Sequence, residues 1–423
     1  MPFRLAAFAA GLMLLAAASG AVAQPFTLSD AHERIAQTHP DLRLFVPRRD
    51  GLEAEARAAA FGQPLSLDAE LENALGSGPL QGVDAAELTL SLAGVLERGG
   101  KREARRALAA TRIDALGAQR AAVQLDLLAE ATRRYLDLAS LQAQRPLLDA
   151  DLAQRQRIAR AARQRFAAGA APEASALAAE ADIARAETRL AVVDAQRSAA
   201  WRRLSLLWGE PASTAVPDVA AVPEAAPVLP ALAELTARLS ATPELAAFAD
   251  EARIREARLR LAETDGTTDL AWSVGVRRLQ EGGDVGFVAG LSLPLGQRAR
   301  AEPGIAAARA EREALAMSRE STALQLEAVA VDAWSQVEAS ALLAGRLDTD
   351  VLPRLERAAA QSERAYRAGA LSYLEWAAVQ TAITESRLAL LEARVAAQRA
   401  LIELQRLTAD TWQAERVHSG VSP

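Results

Sequence analysis

Hydrophobic and polar positions follow two different periods along this chain, and the periods take turns. From Ser66 to Leu75 the period is two. Leu67, Ala69 and Leu71 fall on one face, with Ser66, Asp68, Glu70 and Glu72 on the other. Glu87 to Leu96 alternates again, with Leu88, Leu90 and Leu92 opposite Glu87, Thr89 and Ser91. Gly76-Ser77-Gly78-Pro79 lies between them, so residues 66–96 read as a β-hairpin. Each segment is about ten residues, the length a tilted membrane-crossing strand needs. The period then becomes helical. Ile113, Leu116, Val123, Leu127, Leu128, Leu138 and Leu141 recur at helical spacing in a stretch from Glu97 to Phe166. As one helix it would be about 100 Å long, with a kink expected at Pro146. It ends at Ala167-Ala168-Gly169, and a returning helix is expected from Glu173 to Trp208.

The same series then repeats. Asp269 to Leu279 alternates with Leu270, Trp272, Val274 and Val276 on one face. Val285 to Leu293 does so with Val285, Phe287, Ala289, Leu291 and Leu293, after a turn at Gly282-Gly283-Asp284. A second long helical stretch runs from about Pro303 to Tyr366, with a bend expected at Pro353, and ends at Arg367-Ala368-Gly369. A last helix runs from Ser372 to Leu407. Shorter helical segments precede each hairpin, at Thr27–Phe61 and before Glu263, and Thr242-Pro243-Glu244-Leu245 echoes His39-Pro40-Asp41-Leu42. In the first of these, Leu28-Ser29-Asp30 supplies cap candidates, and Pro40 and Pro47 are possible breaks. The chain is therefore a tandem repeat with a period of about two hundred residues. Residues 24–210 form the first unit and 231–407 the second. A proline-rich connection, 211–230, joins them, and a polar tail, 408–423, follows.

Composition supports helices over a sandwich. Of 423 residues 51% are hydrophobic, yet only 4% are aromatic, and alanine dominates. Net charge is −6 without a long basic run, which argues against a nucleic-acid partner. The absence of cysteine removes disulfides, thiolate metal sites and a cysteine-linked lipid. Arg4, the apolar run Leu5–Ala18 and Ala21-Val22-Ala23 read as a signal peptide over residues 1–23, cleaved near Ala23. The expected location is outside the cytoplasm. No later stretch is apolar enough to cross a membrane as a helix, so a membrane location requires strands. Two strand pairs cannot close a barrel alone, whereas three copies would give one of twelve strands, within the outer-membrane range. A small soluble sheet covered by helices fits the alternation equally well.

Several residues resemble those of the TolC family of outer-membrane efflux ducts. Phe166-Ala-Ala-Gly169-Ala-Ala-Pro172 is similar to the family's first aromatic-x-x-Gly turn, and Tyr366-Arg-Ala-Gly369-Ala-Leu-Ser-Tyr-Leu-Glu375 to its second. Pro294-Leu295 before the second long helix is a family habit. Leu96-Glu97-Arg98-Gly99-Gly100-Lys101-Arg102 resembles the CzcC-like branch, which serves heavy-metal pumps. Val274-Gly-Val-Arg277-Arg278 with Glu281-Gly-Gly-Asp284 points the same way. The resemblance implies a mainly α fold with a small transmembrane β part. The implied assembly is a homotrimer with a twelve-stranded barrel continuing into a helical coiled-coil tube, localised to the outer membrane and reaching into the periplasm. It also implies docking on a periplasmic adaptor and an inner-membrane RND pump, with no cofactor and no catalysis.

Site residues follow from the same resemblance. Tyr366 and Glu375 match gate positions of the second turn, although the next acidic position falls on Ala378. Glu363 and Arg367 could pair across helices, although exposed pairs contribute little. Phe166, Gly169, Pro172, Gly369, Leu371 and Ser372 would form the tip and adaptor-docking turns. Gly99, Gly100, Lys101, Pro294 and Gly296 would form the exits from barrel to helix. Plainer readings stand beside these: Tyr366 packs between helices, and Glu375 is a solvated helix residue. His32, His39 and His418 are too scattered for a metal site or a triad, and Gly99-Gly100-Lys101 lacks P-loop spacing. Trp201 and Trp208 read as packing residues. Alternative functions are the same duct serving drugs or secreted proteins, and a periplasmic adaptor or scaffold without a pore.

Overall fold

The two alternating pairs join in one antiparallel sheet of order β1-β2-β3-β4. These strands are Ser66–Glu72, Glu87–Leu96, Leu270–Leu279 and Val285–Ser292. The computed structural model describes residues 25–210 and 215–408. The expected signal peptide, the start of the proline-rich connection and the tail beyond 408 lie outside the described residues.

Register decides what the sheet presents. Leu67 opposes Leu92, Leu92 opposes Val274, and Val274 opposes Ala289. The next rows are Ala69–Leu90–Val276–Phe287 and Leu71–Leu88–Arg278–Val285. With a side-chain period of two, this register brings the apolar residues of all four strands to one face. Among the described residues, no other element covers that face. Leu67, Leu90, Val276 and Phe287 are exposed, Phe287 by 76%.

Three helices lead into β1: α1 (Leu28–Thr38), α2 (Pro40–Arg43) and α3 (Phe45–Ala59). The cap of α1 is Thr27 rather than a residue of 28–30. Its hydroxyl accepts from the Asp30 N–H at 3.2 Å, while Asp30 accepts from the Thr27 N–H at 2.8 Å. Pro47 breaks nothing, because it lies in the first turn of α3, where its missing N–H has no helical partner to lose.

The long helix α4 spans Lys101–Ala167, 67 residues, and continues through Pro146. It returns as α5 (Glu173–Ser205). Beyond the connection, α6 (Leu232–Arg238) and α7 (Pro243–Thr264) lead into β3. The second long stretch begins at Gln297, earlier than Pro303, as α8 (Gln297–Arg346). One π turn, Leu347–Val351, separates it from α9 (Leu352–Arg367). That wider turn directly precedes Pro353, which has no N–H to donate to the turn before it. The helix widens there instead of ending. The last helix is α10 (Tyr373–Thr408).

Alanine lets these helices approach closely. Ala131, Ala162, Ala179 and Ala330 are fully or almost fully buried at contacts along the bundle. The largest core surrounds Phe26, Tyr135, Trp201 and Trp208, whose indoles lie 5.9 Å apart, so the two tryptophans are packing residues. Tyr135 holds the connection there. Its hydroxyl donates to the Phe26 carbonyl and accepts from the Ala220 N–H, both at 2.9 Å. The repeat extends to local detail, since α2 and α7 each start with an N-cap residue followed by proline, His39-Pro40 and Thr242-Pro243.

Candidate functional site

All four connections between sheet and helices leave the same end of the sheet, and the hairpin loops occupy the other. The face opposite the apolar rows is polar. On it, Arg277 ties three strands together: it donates to Glu87 at 2.9 Å and to Thr89 at 2.9 Å, and pairs with Glu72 at 2.9 Å. Asp68 and Glu70 share this face. The edges of β1 and β4 have no strand partner among the described residues.

The exits are built by backbone geometry and one ion pair. Gly99 sits at φ +74°, and a Cβ there would lie 2.5 Å from the Thr267 side chain. Gly100 and Gly296 are the N-caps of α4 and α8, both left-handed, and Pro294 lies just before the second. Lys101 is buried and donates to Asp269 at 2.7 Å, while the other Asp269 oxygen accepts from the Arg98 N–H at 3.0 Å. The first exit is thereby locked to the start of β3, in the other repeat.

The far end of the helices carries two turns with one backbone pattern. In the first, Gly169 is at φ +70°, and the Ala170 N–H reaches back to the Arg165 carbonyl at 2.8 Å. In the second, Gly369 is at φ +80°, and the Ala370 N–H reaches the Ala365 carbonyl at 2.9 Å. Both are left-handed helix ends of the Schellman type. Their side chains differ. Pro172 caps α5 without a side-chain hydrogen bond. Ser372 and Glu375 form a capping box, in which Glu375 accepts from the Ser372 N–H at 2.9 Å and hydroxyl at 2.7 Å. Those bonds hold the Glu375 carboxyl below its usual range, the hydroxyl contributing most. Phe166 is 43% exposed, whereas Tyr366, its counterpart, is 3% exposed. Leu371 packs partly buried against the tip core.

Tyr366 is held from two sides. Its ring lies 4.8 Å from that of Trp376, and the Arg165 guanidinium sits 5.0 Å above it. Its hydroxyl is buried without a hydrogen-bond partner among the described residues. Arg165 also donates to the Tyr366 carbonyl at 2.6 Å, so the first hairpin grips the turn of the second. The pair of Glu363 and Arg367 exists at 2.5 Å but lies within α9 at i,i+4, because helical spacing puts both on one face.

One tie between the hairpins escaped sequence reasoning. Tyr373 donates to Asp182 at 2.5 Å. Burial pushes the Tyr373 hydroxyl pKa up, and the Asp182 carboxylate adds to the rise. About three turns along, Arg155 pairs with buried Asp151 at 2.7 Å, and Asp151 accepts from Thr384 at 2.8 Å. Only a polar residue on an otherwise apolar stripe could have flagged these positions. Among the described residues, no group of three or more His, Cys, Asp or Glu could hold a metal ion, and no helix is long and apolar enough to cross a membrane. His32 binds the Thr132 hydroxyl at 3.1 Å, and His39 caps α2.

Residues 32–210 match the family profile "Outer membrane efflux protein". A crystal structure of CusC superposes with a TM-score of 0.75 at 16% identity, covering 90% of this chain and 91% of that one. The outer membrane protein VceC from Vibrio cholerae gives 0.72 at 19%, covering 91% and 97%. The open state of the Neisseria gonorrhoeae MtrE outer membrane channel gives 0.66 at 18%, covering 91% and 89%. This chain has the outer-membrane efflux channel fold. The family profile covers the first repeat, and the shared fold extends over both. No curated protein matches the sequence.

Proposed function

We propose that the chain is the outer-membrane duct of a tripartite efflux system, acting as a homotrimer. The observation that carries this is the uncovered apolar face of an open-edged sheet, continuous with helices about 100 Å long. An apolar face of this extent is costly in water and is suited to lipid. Open edges in lipid demand partners, and neighbouring copies supply them. The polar face then lines a lumen, and the helices extend that lumen towards the inner membrane. A periplasmic adaptor docks at the exposed side of the tip, where Phe166, Gly169 and Pro172 lie, and an inner-membrane RND pump drives transport. The similarity of Leu96–Arg102 to the CzcC-like branch supports heavy-metal cations as cargo. At the tip, Gly369, Leu371 and Ser372 shape the second turn, Tyr366 anchors it by stacking, and Glu375 contributes one carboxylate per copy to a ring that draws cations.

Planar-bilayer conductance tests the duct. The expected result is a trimer-sized pore, and absence of any pore overturns the reading. Deletion of the gene, followed by growth on cobalt, zinc, cadmium, copper and drugs, tests the cargo. Sensitivity to drugs alone would replace the metal reading with a drug duct.

A further inference from the structure

The adjacent arginines Arg277 and Arg278 point to opposite faces of β3, because successive strand residues alternate. Arg277 is consumed by Glu72, Glu87 and Thr89 on the polar face. Arg278 stands in the apolar row Leu71–Leu88–Arg278–Val285, is exposed, and has no ion pair or side-chain hydrogen bond among the described residues. It is the one charged residue in the three rows from Leu67 to Val285 that face away from the Arg277 cluster. Its row is the last before the hairpin loops, at the end of the sheet opposite the helices.

Its depth can be gauged. Leu270 and Arg278 are eight positions apart on β3, about 27 Å along the strand. At a tilt of about 40° this is about 20 Å along the membrane normal, most of an apolar band of about 25 Å. With Leu270 and Trp272 at the helix end, Arg278 reaches the opposite interface, where charge on the lipid face costs least. The nearby loops carry Asp84, Glu281 and Asp284 and no basic residue, and Arg277 is paired on the other face, so this guanidinium is the cationic group that the lipid side of that rim offers. A planar guanidinium at a lipid interface suits a phosphate, which it can engage through two parallel N–H donors.

We propose that Arg278 binds a phosphate of lipid A in the outer leaflet, giving each barrel three such contacts. This rests on the outer-membrane reading above. Arg277 then closes the wall from inside, while Arg278 seats it in the leaflet from outside. The full-length trimer in nanodiscs is titrated with lipid A, with chemically dephosphorylated lipid A and with phosphatidylglycerol. Wild type is expected to bind lipid A at least about threefold more tightly than the dephosphorylated form, the scale of one partly screened ion pair. Arg278→Gln is expected to lose that preference and Arg278→Lys to keep part of it. Equal wild-type affinity for the two lipid A forms overturns the proposal, as does an unchanged preference in Arg278→Gln. Phosphatidylglycerol bound as tightly as lipid A also overturns it. The wild-type comparison decides even if a variant fails to fold. Failure of the duct reading is separate, since it appears as a missing pore in the bilayer.

Discussion

The Tyr373 hydroxyl of α10 reaches Asp182 of α5 at 2.5 Å, joining residues 191 apart in sequence. This bond ties the second helical hairpin to the first just above the tip. Asp182 also pairs with Arg185 and lies 3.9 Å from Arg155. Tyr373→Phe is expected to cost about 1 kcal/mol, the usual worth of one hydrogen bond, and to increase the frequency of open events in bilayer recordings. Unchanged recordings would assign the bond to stability alone.

The same tyrosine predicts an alkaline limit. Unfolded tyrosine ionises near pH 10, and in the fold burial and Asp182 hold the proton to higher pH. Above about pH 10 the unfolded state therefore binds fewer protons, and stability falls as pH rises. Thermal melts from pH 8 to 11 should show a downturn in the wild type that Tyr373→Phe flattens.

The buried pair of Asp151 and Arg155 makes a sharper stability test. The Asp151 side chain is 2% exposed and the Arg155 side chain 12%. Arg155→Met leaves Asp151 with only Thr384, and should cost about 3–5 kcal/mol. The double change Asp151→Leu, Arg155→Met should recover most of that loss. Calorimetry of the two variants checks both statements, and equal melting points for single and double variants would refute them.

Glu375 has two separable tasks. Gln retains the capping box but removes the charge, whereas Ala removes both. Hydrogen exchange at Ser372–Trp376 should speed up in Glu375→Ala and stay slow in Glu375→Gln, while cation preference falls in both. The cap weakens as pH falls through the depressed Glu375 pKa, because the stabilising form is the carboxylate and the unfolded group protonates first.

The two faces of the sheet should respond oppositely to charge. Val276→Arg lies in the middle of the apolar rows and should block membrane insertion, at a cost of about 2–4 kcal/mol per copy. Ser91→Arg, on the face of Arg277, should insert normally. Membrane fractionation distinguishes them.

The hairpins, the long helices, both tip turns and the repeat were legible in the sequence, because each rests on a local rule. Alternation of Leu88, Leu90 and Leu92 sets a strand, and glycine at 169 and 369 sets a reversal. Cap and break details were less legible. Thr27 took the cap from 28–30 because the capping box needed Asp30 three residues on. Only the tertiary structure brought Leu67, Leu92, Val274 and Ala289 into one row, since register is settled between strands and not within them. The tertiary structure alone also made Phe166 and Tyr366 unlike. Their local turns agree, but Arg165 and Trp376 enclose one ring, while the other is left 43% exposed. The tie of Tyr373 to Asp182 belongs to the same class: neither residue signals it, because the bond depends on how two hairpins pack, which no local pattern encodes.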